Sequence, residues 1–383
     1  MAGEKPTSRR DFLRGKSAGR ALLQVANNVL DLAAGAIEPL TGGSTSDGPW
    51  GDGSTADALF STSRLAMACE FAIQHHAAAG PHTADAVLAA LNLVQELENQ
   101  LSIYRDHTEV AAINRDAADG PIAVESSLYG LLEHCAQLHA ATGGAFDITS
   151  GPLSRAWGFL RREGKLPTVE EIADAKELVG FTNLELDPTA QTIRFLRPGV
   201  EINFNSIGKG YALDRVAELL DERGVGDYLC HGGRSSVLAR GRQRGSHSRG
   251  WCVAVPHPHL PDGEIGQIIL RDEALGTSGA GTQFFIHEGR RFGHLIDPRT
   301  GWPAEGVHTA TVVAPLAAAA DALATAFYIS GPGGAAEYCA EHPEVGAVMV
   351  CEGSGAEQVN VHAFNLNDGK WLPTARIAGE RGA

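Results

Sequence analysis

An aspartate and a threonine, four residues apart, interrupt the alanine-rich stretch AAAADALATAFYISG at residues 317–331. The stretch predicts a buried helix, and because positions i and i+4 lie on one helix face, Asp321 and Thr325 present a carboxylate and a hydroxyl side by side. Two oxygens are too few for a calcium site that is built from protein ligands alone. They suit Mg²⁺, which commonly takes one or two protein ligands and completes its shell with water and phosphate oxygens. A second interpretation stays open, in which Asp321 only interacts favourably with the dipole at the helix start.

A glycine-lysine-glycine turn in INFNSIGKGYALD, residues 202–214, is a second candidate site. We expect a strand that runs into Ser206 and then a helix. Glycines let a ligand approach the backbone, a helix N-terminus offers free N–H groups, and Lys209 adds a positive charge. These features predict a phosphate-binding turn, although the spacing of a Walker loop is absent. The alternative is a tight turn with a solvent-facing lysine.

The stretch AFDITSGPLSRAWGF, residues 145–159, directly follows a pair of glycines that should end a helix, and its third residue carries a carboxylate. We therefore expect Asp147 on a loop, where it can accept a hydrogen bond from a ribose hydroxyl or a ring N–H. An Asx turn or a helix cap would explain the same residue without a ligand.

Two further stretches carry polar residues among small ones. GHLIDPRTGWP predicts His294 and Asp297 on a strand that leads into a Pro/Gly turn, and GTSGAGTQFF predicts a small-residue loop with Thr277 and Ser278. Histidine is the side chain most often used for proton transfer near neutral pH. A structural histidine is the alternative for His294.

Composition limits the classes of partner. The chain has 383 residues, 43% of them hydrophobic, and a formal net charge of −15, which argues against a nucleic acid or an anionic membrane as the binding partner. Its six cysteines form no C-x-x-C pair, so we interpret them as buried thiols. We find no run of about 20 apolar residues, and therefore predict no transmembrane segment.

The N-terminal region differs from the rest of the chain. Residues 1–37 form a basic segment that fits either a twin-arginine export signal or an amphipathic helix, because polar residues interrupt the apolar run that a signal needs. Export to the periplasm or cell envelope and a cytoplasmic location both stay open. Residues 38–58 have the Gly, Ser, Thr and Pro content of a flexible linker. We predict the folded domain over residues 59–383.

The pattern of apolar residues in that domain predicts mixed helices and strands. We expect a helix from about Thr83 to Ser102, capped by Thr83, another from Ser126 to Ala141, and a hairpin around Asp187. RLAMACEFAIQ and VEINFNS are predicted strands, and ALDRVAELLDERG a helix. Because the elements lack a regular βαβ order, we predict an α+β fold with mixed β-sheets and packed helices.

Taken in order, six segments resemble the FAD:protein FMN transferases, the ApbE family. They are LSIYRDHTEVAAIN, GGAFDITSGPLSRAWGF, IGKGYALDRVAELL, GTSG, HLIDPRTGWP and ADALATAFYISG. The resemblance runs over about residues 67–331 and implies an ApbE-like, T-fold-like catalytic domain. It implies an enzyme that binds FAD and, with Mg²⁺, transfers FMN to a Thr or Ser hydroxyl of a target protein and releases AMP.

The resemblance also assigns residues by position. It implies that Asp321, Thr325 and Ser206 hold the metal, the last through its backbone oxygen. The implied flavin contacts are Met67, Tyr104, Ala145, Phe146, Asp147, Asn203 and Lys209. The acceptor hydroxyl must lose a proton, and for that step we select His294 as the base, with Asp297 to orient it.

Three positions depart from the family pattern. Asn203 and Arg234 stand where acidic residues are common, and Ala280 stands where an acid often follows the TSG sequence. An Asp-to-Asn change keeps an acceptor but removes a charge, and Arg234 reverses a local charge. Two alternatives to the transferase therefore stay open: a flavin-binding protein without transferase activity, and an FAD pyrophosphatase that releases FMN and AMP.

Overall fold

The computed structural model describes residues 58–76, 82–244, 249–260, 262–279, 281, 283–355, 358–367 and 369–374. The basic segment 1–37, all of the linker except its last residue, and Ala280 lie outside the described residues. The export signal, the linker and the start of the domain at Leu59 therefore stay predictions. Among the described helices, none combines the length and the apolar character that a membrane span requires.

Seven α-helices lie in the described part of the chain. They are α1 (Thr83–Leu101), α2 (Glu109–Asp116), α3 (Ser126–Ala141), α4 (Gly151–Ala156), α5 (Val169–Glu177), α6 (Gly208–Glu222) and α7 (Ala317–Glu341). Two short 3₁₀ helices occur at Phe159–Arg161 and Phe181–Asn183.

Sixteen strands accompany them in the same part of the chain. They are β1 (Leu59–Ala66), β2 (Cys69–His76), β3 (Ile122–Ala123), β4 (Leu184–Asp187), β5 (Thr192–Phe195), β6 (Tyr228–Gly232), β7 (Ser236–Arg240), β8 (Trp251–Pro256), β9 (Glu264–Leu270), β10 (Glu273–Gly279), β11 (Phe284–His287), β12 (Arg290–Gly293), β13 (Val307–Ala314), β14 (Gly346–Glu352), β15 (Val359–Phe364) and β16 (Trp371–Pro373).

The strands form one large sheet and three small ones. The large sheet has eight strands in the order β1-β2-β6-β7-β10-β13-β14-β15. The small sheets are β16-β9-β8, β3-β5-β4 and the two-stranded β11-β12. Neighbouring strands such as β10 and β13 pair antiparallel. Antiparallel sheets with helices packed against them confirm the α+β prediction.

Helix α7 packs closely against both the large sheet and α6, because the facing residues Gly276 and Gly210 have no side chains. A Cβ atom added at Gly276 on β10 would lie 2.5 Å from the backbone of Ala320, and one at Gly210 on α6 would lie 2.1 Å from the carbonyl oxygen of Ala317. Asp214 fixes the start of α7, because its carboxylate accepts the backbone N–H groups of Ala317 at 2.7 Å and Ala318 at 2.8 Å. These contacts hold α7 at one depth relative to α6 and β10.

A third, smaller core supports the region beside α4. It is built from Leu153, Trp157, Phe159, Ile172, Ala175, Phe292 and Ile296. The Trp157 indole N–H donates to the Gly301 carbonyl at 2.9 Å, which ties α4 to the turn that follows β12. The Phe285 ring on β11 lies 5.7 Å from the Phe159 ring, so the hairpin β11–β12 packs against the 3₁₀ helix that begins at Phe159.

The structure corrects several predicted elements. RLAMACEFAIQ forms two strands rather than one, because Met67 and Ala68 both have positive φ values, 49° and 58°, and turn the chain between β1 and β2. The VEINFNS segment is not a strand. The N–H of Ile202 donates to the side chain of Asn114, and the N–H of Asn203 donates to the Ile148 carbonyl. These backbone groups therefore bind a side chain and a loop instead of a neighbouring strand.

Three further element boundaries differ from prediction. Helix α6 begins at Gly208, so Lys209 lies in its first turn and not before it. Thr277 and Ser278 belong to strand β10 and not to a loop, because β10 pairs with β13 along both residues. The N-cap of α1 is His82 rather than Thr83. The helix over Ser126–Ala141 is confirmed.

Candidate active site

Most of the predicted site residues line one cavity of about 710 Å³. These are Tyr104, Ala145, Asp147, Asn203, Ser206, Lys209, His294, Asp321 and Thr325. They come from the loop after α1, the loop before α4, the start of α6, the end of β12 and helix α7. Segments far apart in sequence therefore meet at one place.

The Asp321 carboxylate lies buried between β7 and α6. The Ser236 hydroxyl donates to it at 2.7 Å from Oδ1 and 2.9 Å from Oδ2, and the Gly210 N–H donates to Oδ2 at 2.8 Å. Burial raises the pKa of Asp321 to about 6, whereas the positive charge of Lys209, the Ser236 hydroxyl and the Gly210 N–H act to lower it. The carboxylate is thus held in place by neutral donors, with one cationic side chain nearby.

Two further residues with possible oxygen ligands, Thr325 and Ser206, line the same cavity as this carboxylate. Thr325 lies one turn further along α7, and its Oγ1 is 3.0 Å from the Ser278 Oγ. Ser206 lines the same cavity. One carboxylate with hydroxyl and carbonyl oxygens fits a hard cation that keeps several water or phosphate ligands, which is the preference of Mg²⁺. Among the described residues, no group of three or more His, Cys, Asp or Glu side chains could hold a metal.

Lys209 brings a positive charge to this end of the cavity. Within the part of the chain that the structure describes, no carboxylate lies within 4.0 Å of its ammonium group, whereas many of the arginines form ion pairs. Its position in the first turn of α6 places it beside the positive end of the helix dipole. This arrangement favours an anionic ligand.

Asp147 is buried and has its own hydrogen-bond partners. Its Oδ1 accepts the Thr149 N–H at 2.7 Å and the Thr149 hydroxyl at 2.6 Å. The His139 Nδ1 lies 3.3 Å from Oδ2 and 3.0 Å from the Phe146 carbonyl oxygen. The Asx-turn interpretation therefore holds for Oδ1, while the residue also lines the cavity. The Asp147 carboxylate therefore stabilises its own loop and also lines the cavity.

The His139–Asp147 pair should make stability depend on pH. Burial acts to lower the pKa of His139, but the hydrogen bond and charge of Asp147 raise it above the ordinary value of 6.5. A raised folded-state pKa means that the stabilisation is complete below about pH 6.5 and is lost as pH rises through the folded-state value. We expect urea unfolding to show this loss in the unmodified protein and not in His139→Gln. An equal pH slope in both proteins would contradict the assignment.

His294 follows β12 and has a defined tautomer. Its Nδ1 lies 3.1 Å from the Gln283 carbonyl oxygen, and since a carbonyl only accepts, Nδ1 carries the proton and Nε2 keeps its lone pair. Burial lowers the pKa of His294; the hydrogen bond to Gln283 acts to raise it, and the charge of Lys209 lowers it. The ring is therefore neutral at pH 7 and able to accept a proton at Nε2.

Three predicted residues do not line the cavity. Asp297 does not contact His294, because its carboxylate accepts from the backbone and guanidinium of Arg299, and the predicted orienting role belongs instead to the Gln283 carbonyl. Phe146 is fully buried in the main core. Met67 lies in the β1–β2 turn, half-buried, and packs on that core. The predicted flavin contacts of Phe146 and Met67 stay predictions.

Sequence reasoning missed the residues that hold the site together. Ser236 binds Asp321 from β7, and Gln283 orients His294 while its side-chain amide donates to the Phe159 carbonyl at 2.7 Å. Neither has a spacing relation to its partner that a single sequence could reveal. Of the departures, Asn203 lines the cavity, whereas Arg234 lies in the β6–β7 turn with a positive φ of 61°.

Comparisons with known proteins agree with this geometry. The sequence pattern of the ApbE family matches residues 67–349. A FAD:protein FMN transferase of Vibrio cholerae is 30% identical over 243 residues, which cover 62% of this chain and 71% of that protein. One from Haemophilus influenzae is 28% identical over 247 residues, 62% of this chain and 70% of that protein. A crystal structure of the ApbE protein from Thermotoga maritima superimposes with a TM-score of 0.71 at 27% identity, over 80% of this chain and 96% of that one. The chain belongs to the ApbE family.

Proposed function

We propose that this protein is an FAD:protein FMN transferase, which moves FMN from FAD to a Thr or Ser hydroxyl of an acceptor protein and releases AMP. The observation that carries the proposal is that Asp321, Lys209 and His294 line one cavity. A pyrophosphate needs positive charge around it, and a hydroxyl nucleophile needs a base. The function of the curated relatives supports the same reaction.

The proposed reaction is an in-line displacement at the FMN phosphorus. The acceptor hydroxyl oxygen forms a new P–O bond, the bond from that phosphorus to the bridging pyrophosphate oxygen breaks, and AMP leaves with the bridging oxygen. The hydroxyl proton passes to Nε2 of His294, which the Gln283 carbonyl holds in the receptive tautomer. Lys209 binds a phosphate oxygen and opposes the charge that grows on AMP.

We propose Mg²⁺ as the cofactor, held by Asp321, Thr325 and the backbone oxygen of Ser206. When bound, it neutralises charge on the pyrophosphate and on the leaving group. The three residues lie on α7 and at the entry to α6, and the Ser236 and Gly210 donors fix the carboxylate between them. Tyr104, Ala145, Asp147 and Asn203, which line the cavity, are the proposed flavin contacts.

The test is to incubate the purified protein with FAD and Mg²⁺, with and without an acceptor protein that carries an exposed threonine. AMP release and covalent flavin on the acceptor are measured together by chromatography and mass spectrometry. We expect AMP and flavinylated acceptor in equal amounts. AMP release without flavinylation by any acceptor would indicate an FAD pyrophosphatase, and bound, unconverted FAD would indicate a flavin-binding protein.

A further inference from the structure

The hairpin β11–β12 extends directly from the wall of the cavity. The residue before β11, Gln283, and the residue after β12, His294, both line the cavity, and the His294 N–H donates to the Gln283 carbonyl at 3.2 Å. His294, the proposed general base, is therefore hydrogen-bonded directly to the residue at which the hairpin begins. Any macromolecule that delivers a hydroxyl to His294 must pass close to this hairpin.

The two faces of the hairpin differ sharply. On the inner face, Phe285 and Phe292 pack with ring centroids 5.3 Å apart, and Phe292 lies 5.5 Å from Trp157. On the outer face, Phe284 and Ile286 are 44% and 65% exposed. The inner face anchors the hairpin to the body of the protein. The outer face presents a strip of exposed apolar surface.

The outer face also carries a positive charge and a flat end. In the antiparallel register, Ile286 lies opposite Arg291 and Phe284 lies opposite Gly293. The Arg291 guanidinium carbon lies 4.0 Å from the centre of the Phe284 ring. Gly293 has no side chain, so the strip is open beside Phe284, next to His294. This outer strip of Phe284, Ile286, Arg291 and Gly293 leads towards the base.

Backbone groups at the edges of the hairpin are available as well. Within the described residues, β11 and β12 pair only with each other. Each strand therefore has an outer edge whose N–H and C=O groups can bind an added strand. A peptide that pairs along an edge can place alternate side chains on the outer strip.

Charge indicates the character of the occupant. The chain carries a net charge of −15, yet Arg291 lies on the outer strip and Arg162 lines the neighbouring cavity. The loop of Arg162 touches the hairpin, since a Cβ atom at Gly164 would lie 2.8 Å from the Phe285 ring. We therefore expect an acidic segment to be repelled by the negatively charged remainder of the protein and attracted to the surface around Arg291 and Arg162.

We propose that the β11–β12 hairpin docks the acceptor, by pairing with an extended acidic segment next to the reactive hydroxyl. Apolar side chains of that segment pack on Phe284 and Ile286, and its carboxylates meet Arg291. The inference rests on the proposed function, because it names the surface that delivers the second substrate. It assigns acceptor choice to a surface element outside the FAD cavity.

The test uses two synthetic peptides of about twelve residues, long enough to pair along a whole strand of the hairpin. Each has one central threonine and valine at alternate positions, with glutamate at the remaining positions in one peptide and lysine in the other. We expect kcat/KM for flavinylation of the glutamate peptide to exceed that of the lysine peptide by about tenfold or more. Equal rates, or AMP release with no modification of either peptide, would overturn the proposal.

Variants of the outer strip sharpen the test. AMP release in the absence of peptide is the reference rate and should not change. Against that reference, Ile286→Asp should lower flavinylation of the glutamate peptide about tenfold. Arg291→Glu should reverse the preference in favour of the lysine peptide. Leu88→Asp, on α1 and 48% exposed, is the matched control and should change neither rate. If AMP release without peptide and flavinylation fell equally in the strip variants, docking by the hairpin would be overturned. If the unmodified protein released no AMP, the proposed function itself would be overturned.

Discussion

Asp321→Asn is expected to lower Mg²⁺-dependent AMP release from FAD by about 100-fold or more, because it removes the one carboxylate of the proposed metal site and with it several kcal/mol of charge stabilisation. The side chain keeps its shape, so Ser236 can still donate to the remaining oxygen. Since the lost charge was buried, we expect the Tm of the variant to be no lower than that of the unmodified protein. Rates over a Mg²⁺ titration at saturating FAD measure the effect.

A second readout separates metal binding from catalysis. A ligand that binds only the folded state raises Tm, so Mg²⁺ with FAD should stabilise the unmodified protein more than Asp321→Asn. Asp221→Asn is the matched control, because Asp221 lies on α6, binds Tyr228 at 2.8 Å and does not line the cavity. Full activity in Asp321→Asn, or an equal loss in the control, would contradict the assignment.

His294→Gln is expected to lower kcat for flavinylation by about 10²–10⁴-fold, the range typical of a lost general base, with little change in FAD binding. Glutamine preserves a neutral donor towards the Gln283 carbonyl, so the fold should persist. In the unmodified protein the lowered pKa of His294 puts the acidic limb of the pH–rate profile below about pH 6.5, because the neutral ring is the active form. The variant should lack that limb.

Asp297→Asn provides the comparison for this prediction. Asp297 binds Arg299 and not His294, so its loss should affect kcat far less than the loss of His294. Gln283→Ala should lie between them, since it removes the side-chain amide that anchors this segment to Phe159 while the orienting backbone carbonyl remains. An acidic limb that persists in His294→Gln would exclude His294 as the base.

Local signals carried much of the fold prediction. Helix α3 follows from leucines at helical spacing and two glycines that end it, and the hairpin of β4 and β5 follows from the Asp-Pro turn. The α+β class follows from the irregular order of the elements. Such features depend on residues close in sequence, which is why a single sequence reveals them.

The misplaced elements have tertiary causes. VEINFNS has the composition of a strand, but the side chain of Asn114 takes the backbone groups of Ile202 in place of a neighbouring strand. The small residues of β10 predict a loop, yet the residue at position 276 is a glycine because α7 lies against it. The sequence could not show which segment would lie alongside.

The residues of the candidate site also fall into those that a sequence can indicate and those that it cannot. Residues with a chemical signature, such as Asp321, Lys209 and His294, could be selected by type and resemblance and do line one cavity. Residues that fix their geometry, such as Ser236 and Gln283, have no signature of their own. Nearness in sequence favours Asp297 as the partner of His294, yet its carboxylate binds Arg299 and the Gln283 carbonyl orients the ring.

The bonds that hold the Asp321 carboxylate join distant parts of the chain. Its partner Gly210 is 111 positions away and its partner Ser236 is 85 positions away. We expect contacts of such separation to form late, because the entropy of closing long loops must first be overcome. A fragment that lacks either the α6 region or α7 cannot form the hydrogen bonds that hold this carboxylate. Enzyme activity is therefore a measure of complete folding, and its recovery after dilution from urea should follow the slowest structural probe rather than the first helices to form.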